Sequence, residues 1–291
     1  MKPSTYAILV LGLLSIVWGS SFILIKKALI AFDPIVLGAL RVSVSSLAFV
    51  PFVIYYRKEM PWKMWKVFLM VGLTGSGIPA FMYAIAQTQI DSSVSGLLNS
   101  LSPIFALIIG ALFFKVALNA GKVSGVILGF IGASLLLLAG NKVEMGGQAW
   151  YGALIVIGTM CYGTSVNLVK EYFQEYRSII VSAASFFMIG PPAVVYLFFT
   201  DFADVMVTHD HALYSFGAVL ILSLVGTVIS TIIFYKLVQI SNAVFASSVA
   251  FTIPIVALFW GWIDGEHLGV YHFIGMILIL MGVMLIRKNP T

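Results

Sequence analysis

The chain of 291 residues is too apolar for a water-soluble fold, since 61% of its residues are hydrophobic, 9% are charged and its mean hydropathy is +1.07. Its net charge of +5 could suggest a nucleic-acid partner, but the basic residues are spread between apolar stretches instead of forming one patch. Composition therefore excludes a soluble enzyme and a nucleic-acid-binding domain, and indicates a protein that lies in a lipid bilayer.

Ten apolar stretches of membrane-spanning length, about 20 residues each, lie between the charged clusters. In chain order they cover residues 5–29, 34–56, 65–87, 92–114, 120–140, 150–170, 179–200, 213–236, 242–263 and 269–287. Because a segment in lipid must satisfy its own backbone hydrogen bonds, each stretch is predicted to be an α-helix. The sequence thus predicts an all-α polytopic membrane protein with ten transmembrane helices. The first stretch is too long for a cleaved signal peptide and is expected to be retained.

The positive charges are concentrated on one of the two sides that such helices would define. With the amino terminus inside, the inner segments hold twelve Lys and Arg residues and the outer segments hold three. Positive residues favour the cytoplasmic side, so both termini are predicted to be cytoplasmic and the 201–211 loop external. Cys161, the only cysteine, lies within a predicted span, so the chain has no internal disulfide.

Motifs of the first half recur in the second half at offsets of 144 to 152 residues. The run WGSSFILIK at 18–26, for example, is matched by YGTSVNLVK at 162–170, and its small residues are expected either to pack helices closely or to line a pore. Lys26 and Lys170 are expected to cap the carboxyl ends of their helices, with substrate contact as the alternative. Gly132 matches Gly282, and these glycines are predicted to let helices pack closely. Each half holds five spans, and a repeat with an odd number of spans must insert upside down relative to its sibling. The sequence therefore predicts two inverted five-helix repeats, over 1–144 and 145–291, with the functional site where they meet.

Polar and aromatic residues lie near the middle of the spans that match between the halves. Cavities that bind small solutes combine apolar walls with a few such groups. The candidate substrate-binding residues are Trp18, Ser21, Tyr83, Asn99, Tyr162, Asn167, Tyr235 and Ser248. Each has an ordinary alternative role, because small residues let helices pack closely, tyrosines anchor at interfaces and a buried amide pairs between helices.

Two prolines are candidate gating residues. Pro103 and Pro254 interrupt the fourth and ninth predicted spans at the same depth, and a proline in a helix removes one backbone donor. Pro103 would leave the carbonyl of Asn99 without its helical partner. A static kink is the alternative to a hinge.

One charged residue, Arg41, is predicted to lie within the membrane. It follows Pro34, the start of its span, by seven residues, or about 10 Å of helix. An arginine at that depth finds an acidic partner or a cavity. Asp33 and Asp91 lie on the same predicted side, so the sequence leaves pairing with an acid and contact with a substrate as equal alternatives.

The chain resembles the EamA type of the drug/metabolite transporter superfamily. The motifs that carry the resemblance are the run at 18–26, Arg41, the small-residue run ending in Ser-Pro at 92–103 and the glycine spacing at 125–132. The second half matches less closely. After the fourth span the family often has Gly-Glu, where this chain has Phe114-Lys115. The resemblance implies a central cavity between spans one, three, four, six, eight and nine.

The function that the resemblance implies is secondary transport by alternating access in the bacterial cytoplasmic (inner) membrane. The expected activity is export of small metabolites such as amino acids or amphipathic drugs, by a monomer without cofactor, metal or nucleic acid. A channel, or a lipid-handling or assembly scaffold, is the alternative. Catalysis is not expected, because all eleven Asp and Glu residues and all four His residues lie in or beside loops. Flux is likewise expected to need no proton exchange.

Overall fold

The computed structural model describes residues 3–138, 148–240, 246 and 248–288, and within these ranges the regular structure is helical throughout. The main helices are α1 (Pro3–Ala28), α2 (Pro34–Tyr56), α3 (Trp62–Ala86), α4 (Ser92–Phe113), α5 (Ala120–Leu138), α6 (Gln148–Tyr172), α7 (Ser178–Leu197), α8 (Ala212–Ile240), α9 (Ile253–Ile263) and α10 (Val270–Lys288). A short helix, Phe202–Thr208, lies between α7 and α8. The predicted all-α class is confirmed.

Seven of the described helices, α1 to α4 and α6 to α8, are long and apolar enough to cross a membrane. The apolar parts of α5, α9 and α10 are shorter, at Ala120–Gly132, Ile253–Ile263 and Val270–Gly282. Part of the difference from ten predicted spans lies at residues 241–245 and 247, where the predicted ninth span begins and which fall outside the described residues. The chain is a multi-pass membrane protein.

Two of the long helices contain a π-helical segment, Leu73–Gly77 in α3 and Leu224–Ile229 in α8. Both segments are rich in glycine and hydroxyl residues, which hold the regular helix weakly, and in α3 the next turn begins with Pro79. A π segment widens the helix and leaves some backbone groups without their usual partners, a geometry that is frequent at functional sites.

Close packing of α5 on α10 depends on glycine. A Cβ atom added at Gly132 would lie 2.7 Å from the carbonyl oxygen of Gly275, and one at Gly282 would lie 2.5 Å from that of Gly125. No side chain fits at either distance, so the two backbones touch directly. The predicted packing role of these glycines is confirmed, and Gly132→Leu would force the helices apart.

Glycine also brings α1 against α9 and α6 against α4. A Cβ at Gly19 would lie 2.5 Å from the Cβ of Val256, and one at Gly163 would lie 2.8 Å from the backbone nitrogen of Ala106. These glycines therefore serve close packing, which was one of the two alternatives for the matched runs. Their neighbours Trp18 and Tyr162 face the space that the packed helices enclose.

Candidate functional site

A cavity of about 110 Å³ lies at the centre of the bundle. It is lined by α1, α2, α3, α4, α6 and α8, and by the 3₁₀ turn Ser248–Phe251 with the start of α9. Of the predicted substrate-binding residues the lining includes Trp18, Ser21, Tyr83, Asn99, Tyr162 and Tyr235. It also includes five polar residues that the sequence reading missed, Ser76, Ser102, Ser165, Thr227 and Thr231. The side chain of Ser248 lies outside the described residues.

Trp18 is fixed against the π segment of α8. Its indole nitrogen donates a hydrogen bond to the carbonyl oxygen of Gly226 at 2.9 Å, and its ring meets Phe234 edge to face at 4.9 Å between centroids. The π segment supplies the carbonyl that a regular helix would use internally. The sequence did not predict this contact between Trp18 and α8.

Tyr83 and Asn99 form a buried pair in the cavity wall. The tyrosine hydroxyl donates to the amide oxygen at 2.7 Å. Asn99 begins a 3₁₀ turn, Asn99–Leu101, and its backbone carbonyl accepts from the hydroxyl of Ser102 at 2.7 Å. That is the carbonyl that Pro103 deprives of its helical donor, so a neighbouring side chain satisfies it. Asn99 thus has both roles that the sequence left open, helix-to-helix bonding and a place in the cavity.

The other two predicted tyrosines, Tyr162 and Tyr235, also lie inside the bundle and not at an interface. The Tyr235 hydroxyl is 3.2 Å from that of Ser165, and the rings of Tyr83 and Tyr162 are 6.0 Å apart. Gly75, in the π segment of α3, makes room for the hydroxyls of Tyr235 and Ser165, since a Cβ there would lie 2.6 Å from the Tyr235 hydroxyl. A larger residue at 75 would therefore fill this part of the cavity.

Asn167 is the predicted site residue that the cavity does not include. Its amide nitrogen donates to the carbonyl oxygens of Ala106 and Gly163, both at 2.8 Å, and so ties α6 to α4. Five residues of α-helix turn the chain by roughly 140° from Tyr162, which explains why the two side chains point differently. Ser165 and Val166 take the place on the lining that the sequence gave to Asn167.

Arg41 reaches into the cavity and meets a hydroxyl instead of an acid. Its Nε donates to the hydroxyl of Thr227 at 3.2 Å, and that hydroxyl donates in turn to the carbonyl of Leu222 at 3.1 Å. The guanidinium also lies beside the Tyr162 phenol. In the described part of the chain no carboxylate lies within 4.0 Å of it, because every ion pair there belongs to Lys26 or Lys27. Pairing with a nearby acid, one predicted alternative, is not what the structure shows.

Charged groups gather at one end of the bundle, here called the Lys26 end and consisting of Lys26, Lys27, Ser92, Ser93, Asp264 and Glu266. Lys26 lies 2.9 Å from Glu266 and 2.7 Å from Asp264, and Lys27 also pairs with Asp264. Glu266 accepts hydrogen bonds from the backbone of Ser92 and Ser93 at 3.0 Å each, at the start of α4. The sequence predicted Lys26 as a helix cap, and it missed these partners because they lie 240 residues away.

Burial works to raise the pKa of Glu266, but hydrogen bonds from Lys26, Ser93 and Ser92 hold it below the ordinary range of a glutamate. Its side chain is only 2% exposed, so the charge depends on these partners. The pKa of Asp91 moves the other way, raised by burial and then by the charge of Glu266. The Lys26 end therefore joins α1, α4 and α9 through one buried carboxylate.

Apolar helices of membrane-crossing length around a cavity with polar residues in its wall define a multi-pass membrane protein with an internal cavity. In the described residues no group of three His, Cys, Asp or Glu side chains could hold a metal ion. The sequence profile of the EamA-like transporter family matches residues 5–138 and 149–288. The chain therefore belongs to the EamA-like transporter family, and it is a membrane transporter.

Relatives of similar length are also named as transporters. An uncharacterized transporter of Archaeoglobus fulgidus is 25% identical over 97% of this chain and 98% of its own. The uncharacterized transporter YoaV of Bacillus subtilis is 22% identical over 94% and 95%, and the uncharacterized inner membrane transporter YedA of Escherichia coli is 23% identical over 94% and 88%. A solved crystal structure with 16% identity matches 97% of the chain with a TM-score of 0.64, which shows a shared fold.

Proposed function

We propose that this transporter exports small metabolites from the cytoplasm by alternating access. The observation that carries the proposal is a single cavity to which both halves contribute, α1 to α4 from the first and α6, α8 and α9 from the second. Secondary transporters built from inverted repeats place their substrate site at the repeat interface. The cavity side chains Trp18, Ser21, Tyr83, Asn99, Tyr162 and Tyr235 are the proposed substrate-binding residues.

The packing of the helices supports two inverted five-helix repeats, 1–144 and 145–291. Exchanging each helix with the one five places on leaves the pairs α5–α10 and α2–α7 unchanged, and converts the pair α1–α9 into α6–α4. Each π segment meets the matched run of the opposite half. The segment in α8 contacts Trp18 of the run at 18–26, and the segment in α3 lies beside Ser165 of the run at 162–170. We therefore propose ten transmembrane helices with this symmetry.

The distribution of charges supports the proposed orientation. Alternating spans would place the carboxyl end of α1, the start of α4 and the segment after α9 on one side, and these three regions meet at the Lys26 end. The positive-inside asymmetry of the sequence makes that side external and both termini cytoplasmic.

The size and the walls of the cavity favour small substrates. Its 110 Å³ is well below the roughly 300–1,000 Å³ of pockets that hold drug-sized ligands. A small metabolite, of about the size of an amino acid, is therefore a better match for this conformation than an amphipathic drug.

The prolines follow irregular turns at matched places. Pro103 lies two residues after the 3₁₀ turn Asn99–Leu101, and Pro254 lies three residues after the turn Ser248–Phe251. Each turn lacks the regular hydrogen-bond ladder that stiffens a helix. We propose that α4 and the segment leading into α9 bend there when access to the cavity changes sides.

The lining residues also bear on energy coupling. The described cavity lining contains no Asp, Glu or His that could carry a proton, and the guanidinium of Arg41 stays protonated. We propose that flux follows the substrate gradient. An imposed pH gradient across proteoliposomes, at clamped voltage, should then produce no accumulation.

Flux into proteoliposomes tests the proposed function. A panel of labelled amino acids, monocarboxylates and amines should include solutes that the wild type moves and Gly75→Leu does not, because a side chain at 75 enters the cavity. Gly217→Leu is the matched control, since a Cβ at Gly217 meets nothing within 4 Å. If no solute crosses faster than in empty liposomes, or if both variants behave alike, the transport site is not this cavity. Equal conduction of unrelated solutes would indicate a channel.

A further inference from the structure

We propose that the cavity is an anion site, in which Arg41 binds the carboxylate of a small organic monoanion with an apolar or aromatic body. The inference rests on the proposed transport function and specifies its substrate class.

The charge of Arg41 has no counter-ion in the described part of the chain. Among the described residues it is the single Lys or Arg of the lining, the lining holds no Asp or Glu, and no carboxylate lies within 4.0 Å of it. An arginine cannot discharge itself by losing its proton. A partly buried cation without a partner is costly in a membrane, so the site stabilises a ligand that brings one negative charge.

The guanidinium is oriented for such a ligand. Its Nε donates to the hydroxyl of Thr227, and the guanidinium lies beside the Tyr162 phenol. The Thr227 hydroxyl uses its own proton on the carbonyl of Leu222, so it acts toward Arg41 as an acceptor that fixes the side chain. A guanidinium has five N–H donors, so these two contacts leave donors for a ligand, and its planar shape binds a carboxylate through two parallel hydrogen bonds.

A second donor group, the amide of Asn99, lines the same cavity. Asn99 accepts from Tyr83 through its amide oxygen, and its amide nitrogen makes no described hydrogen bond. A carboxylate can use those N–H donors as well as Arg41. A phosphate dianion would need a second cation, which the described lining does not offer.

The remaining walls suit the body of the ligand, not a second charge. Trp18, Phe234 and Tyr235 present aromatic surface to the cavity. An ammonium group would lie near Arg41 without an acid to balance it, so amines are repelled and zwitterions gain less than simple carboxylates.

Three solutes with one aromatic body separate these cases: 3-phenylpropionate with charge −1, phenylalanine as a zwitterion, and phenethylamine with charge +1. Binding is measured as the rise in melting temperature of detergent-purified protein with each solute, and flux is measured separately in proteoliposomes. Stabilisation should be largest for 3-phenylpropionate, smaller for phenylalanine and absent for phenethylamine.

Variants of Arg41 tie the preference to the residue. Arg41→Gln should weaken 3-phenylpropionate binding at least about ten-fold, because a charge-assisted pair is lost. Arg41→Lys should keep the preference for the anion with lower affinity, since a lysine lacks the paired donors. Arg57→Gln, an exposed arginine at the other end of α2, is the control and should change nothing.

The outcomes separate this inference from the proposed function. If phenylalanine or phenethylamine stabilises the protein as much as 3-phenylpropionate, or if Arg41→Gln and Arg41→Lys both bind the anion as the wild type does, the anion site is wrong even when flux is seen. No stabilisation by 3-phenylpropionate or by shorter monocarboxylates overturns it too. Anion binding that depends on Arg41, without flux of any solute, would support the anion site and contradict the proposed transport function.

Discussion

The two ends of the helix bundle are held by different chemistry, although the proposed repeats make them equivalents. At the Lys26 end a buried carboxylate binds a lysine and two backbone N–H groups. At the opposite end, here called the Lys170 end and consisting of Lys170, Gln239 and Val116, Lys170 meets a backbone carbonyl, that of Gln239, at 3.4 Å.

One position explains most of the difference. A Cβ added at Gly261 would lie 2.5 Å from the carboxylate of Glu266, and a Cβ added at the matched Gly110 would lie 3.0 Å from a methyl group of Val116. Val116 is thus the structural counterpart of Glu266. In the described part of the chain, the Lys170 end thus has an apolar side chain at the position where the Lys26 end has a carboxylate.

The Lys26 end is also packed by helices, since α1 lies directly against α4 there. We infer that this conformation is closed at the Lys26 end, and that the ion pairs there contribute to keeping it closed.

Removing Glu266 should have the largest effect on this difference. Glu266→Ala leaves Lys26 and the start of α4 without their shared partner, and it should cost about 1–3 kcal/mol of stability, since hydrogen bonds to charged groups are lost. Melting of the purified protein measures the loss. The exposed Glu59 supplies the control, and an equal effect of Glu59→Ala would show that the Lys26 end is not special.

Acidification should remove part of the same contribution. The pKa values of Glu266 and Asp264 are lowered, so their stabilisation is complete at neutral pH and is lost as pH falls through those lowered values. Asp91 has a raised pKa, so it takes up its proton first and relieves its repulsion of Glu266.

The melting temperatures of the wild type and Glu266→Gln, followed from neutral to acidic pH, measure this effect. The two curves should converge only in strong acid. A difference that vanishes already near neutral pH would mean that the ion pairs do not carry the stability.

An acid at position 116, which matches Glu266, should make the Lys170 end more like the Lys26 end. Val116→Glu places a carboxylate on the side of Lys170, and a partly exposed pair of this kind is worth up to about 1 kcal/mol. Thiol labelling of Thr231→Cys from that end, in a background without Cys161, should slow several-fold. Val116→Gln has nearly the same shape without the charge. If it slows labelling equally, size and not charge is responsible.

The smallest expected effect concerns the turn after α4. Lys115 has φ 56°, a left-handed conformation, whereas the corresponding turn after α9 uses Gly265 with φ 78°. Lys115→Gly should relieve up to about 1 kcal/mol of strain. Lys115→Ala keeps the Cβ and should give no gain. Equal melting temperatures of the two variants would contradict the strain.

Much of this arrangement was predictable from the sequence, because helix class and repeat follow from local periodicity. The sequence matched Trp18 with Tyr162, and Gly132 with Gly282, from spacing alone. Six of the eight predicted site residues line the cavity because they are polar or aromatic groups near the middle of spans that converge there.

The features that the sequence did not predict depend on distant contacts or on exact rotation. Nothing in the sequence near Lys26 indicates that Glu266 is its partner. The sequence comparison of the halves put the position matched to Glu266 at Lys115, whereas the structure puts it one residue later, at Val116, because the turns after α4 and α9 differ in conformation. Asn167 was assigned to the cavity because residue type was weighed over its rotation from Tyr162. Ser165 aligns with the predicted residue Ser21 in the matched runs, a signal that was not used, whereas the hydroxyl of Thr231 carries no signal apart from its position.

Counterflow in proteoliposomes tests alternating access most directly. Liposomes loaded with an excess of an unlabelled transported solute, and diluted into a trace of the labelled form, should take up the label transiently above its external concentration. The account predicts this overshoot for the wild type and Gly217→Leu, and its loss in Gly75→Leu. Label that only equilibrates, without overshoot, would indicate a channel and contradict a cavity that opens to one side at a time.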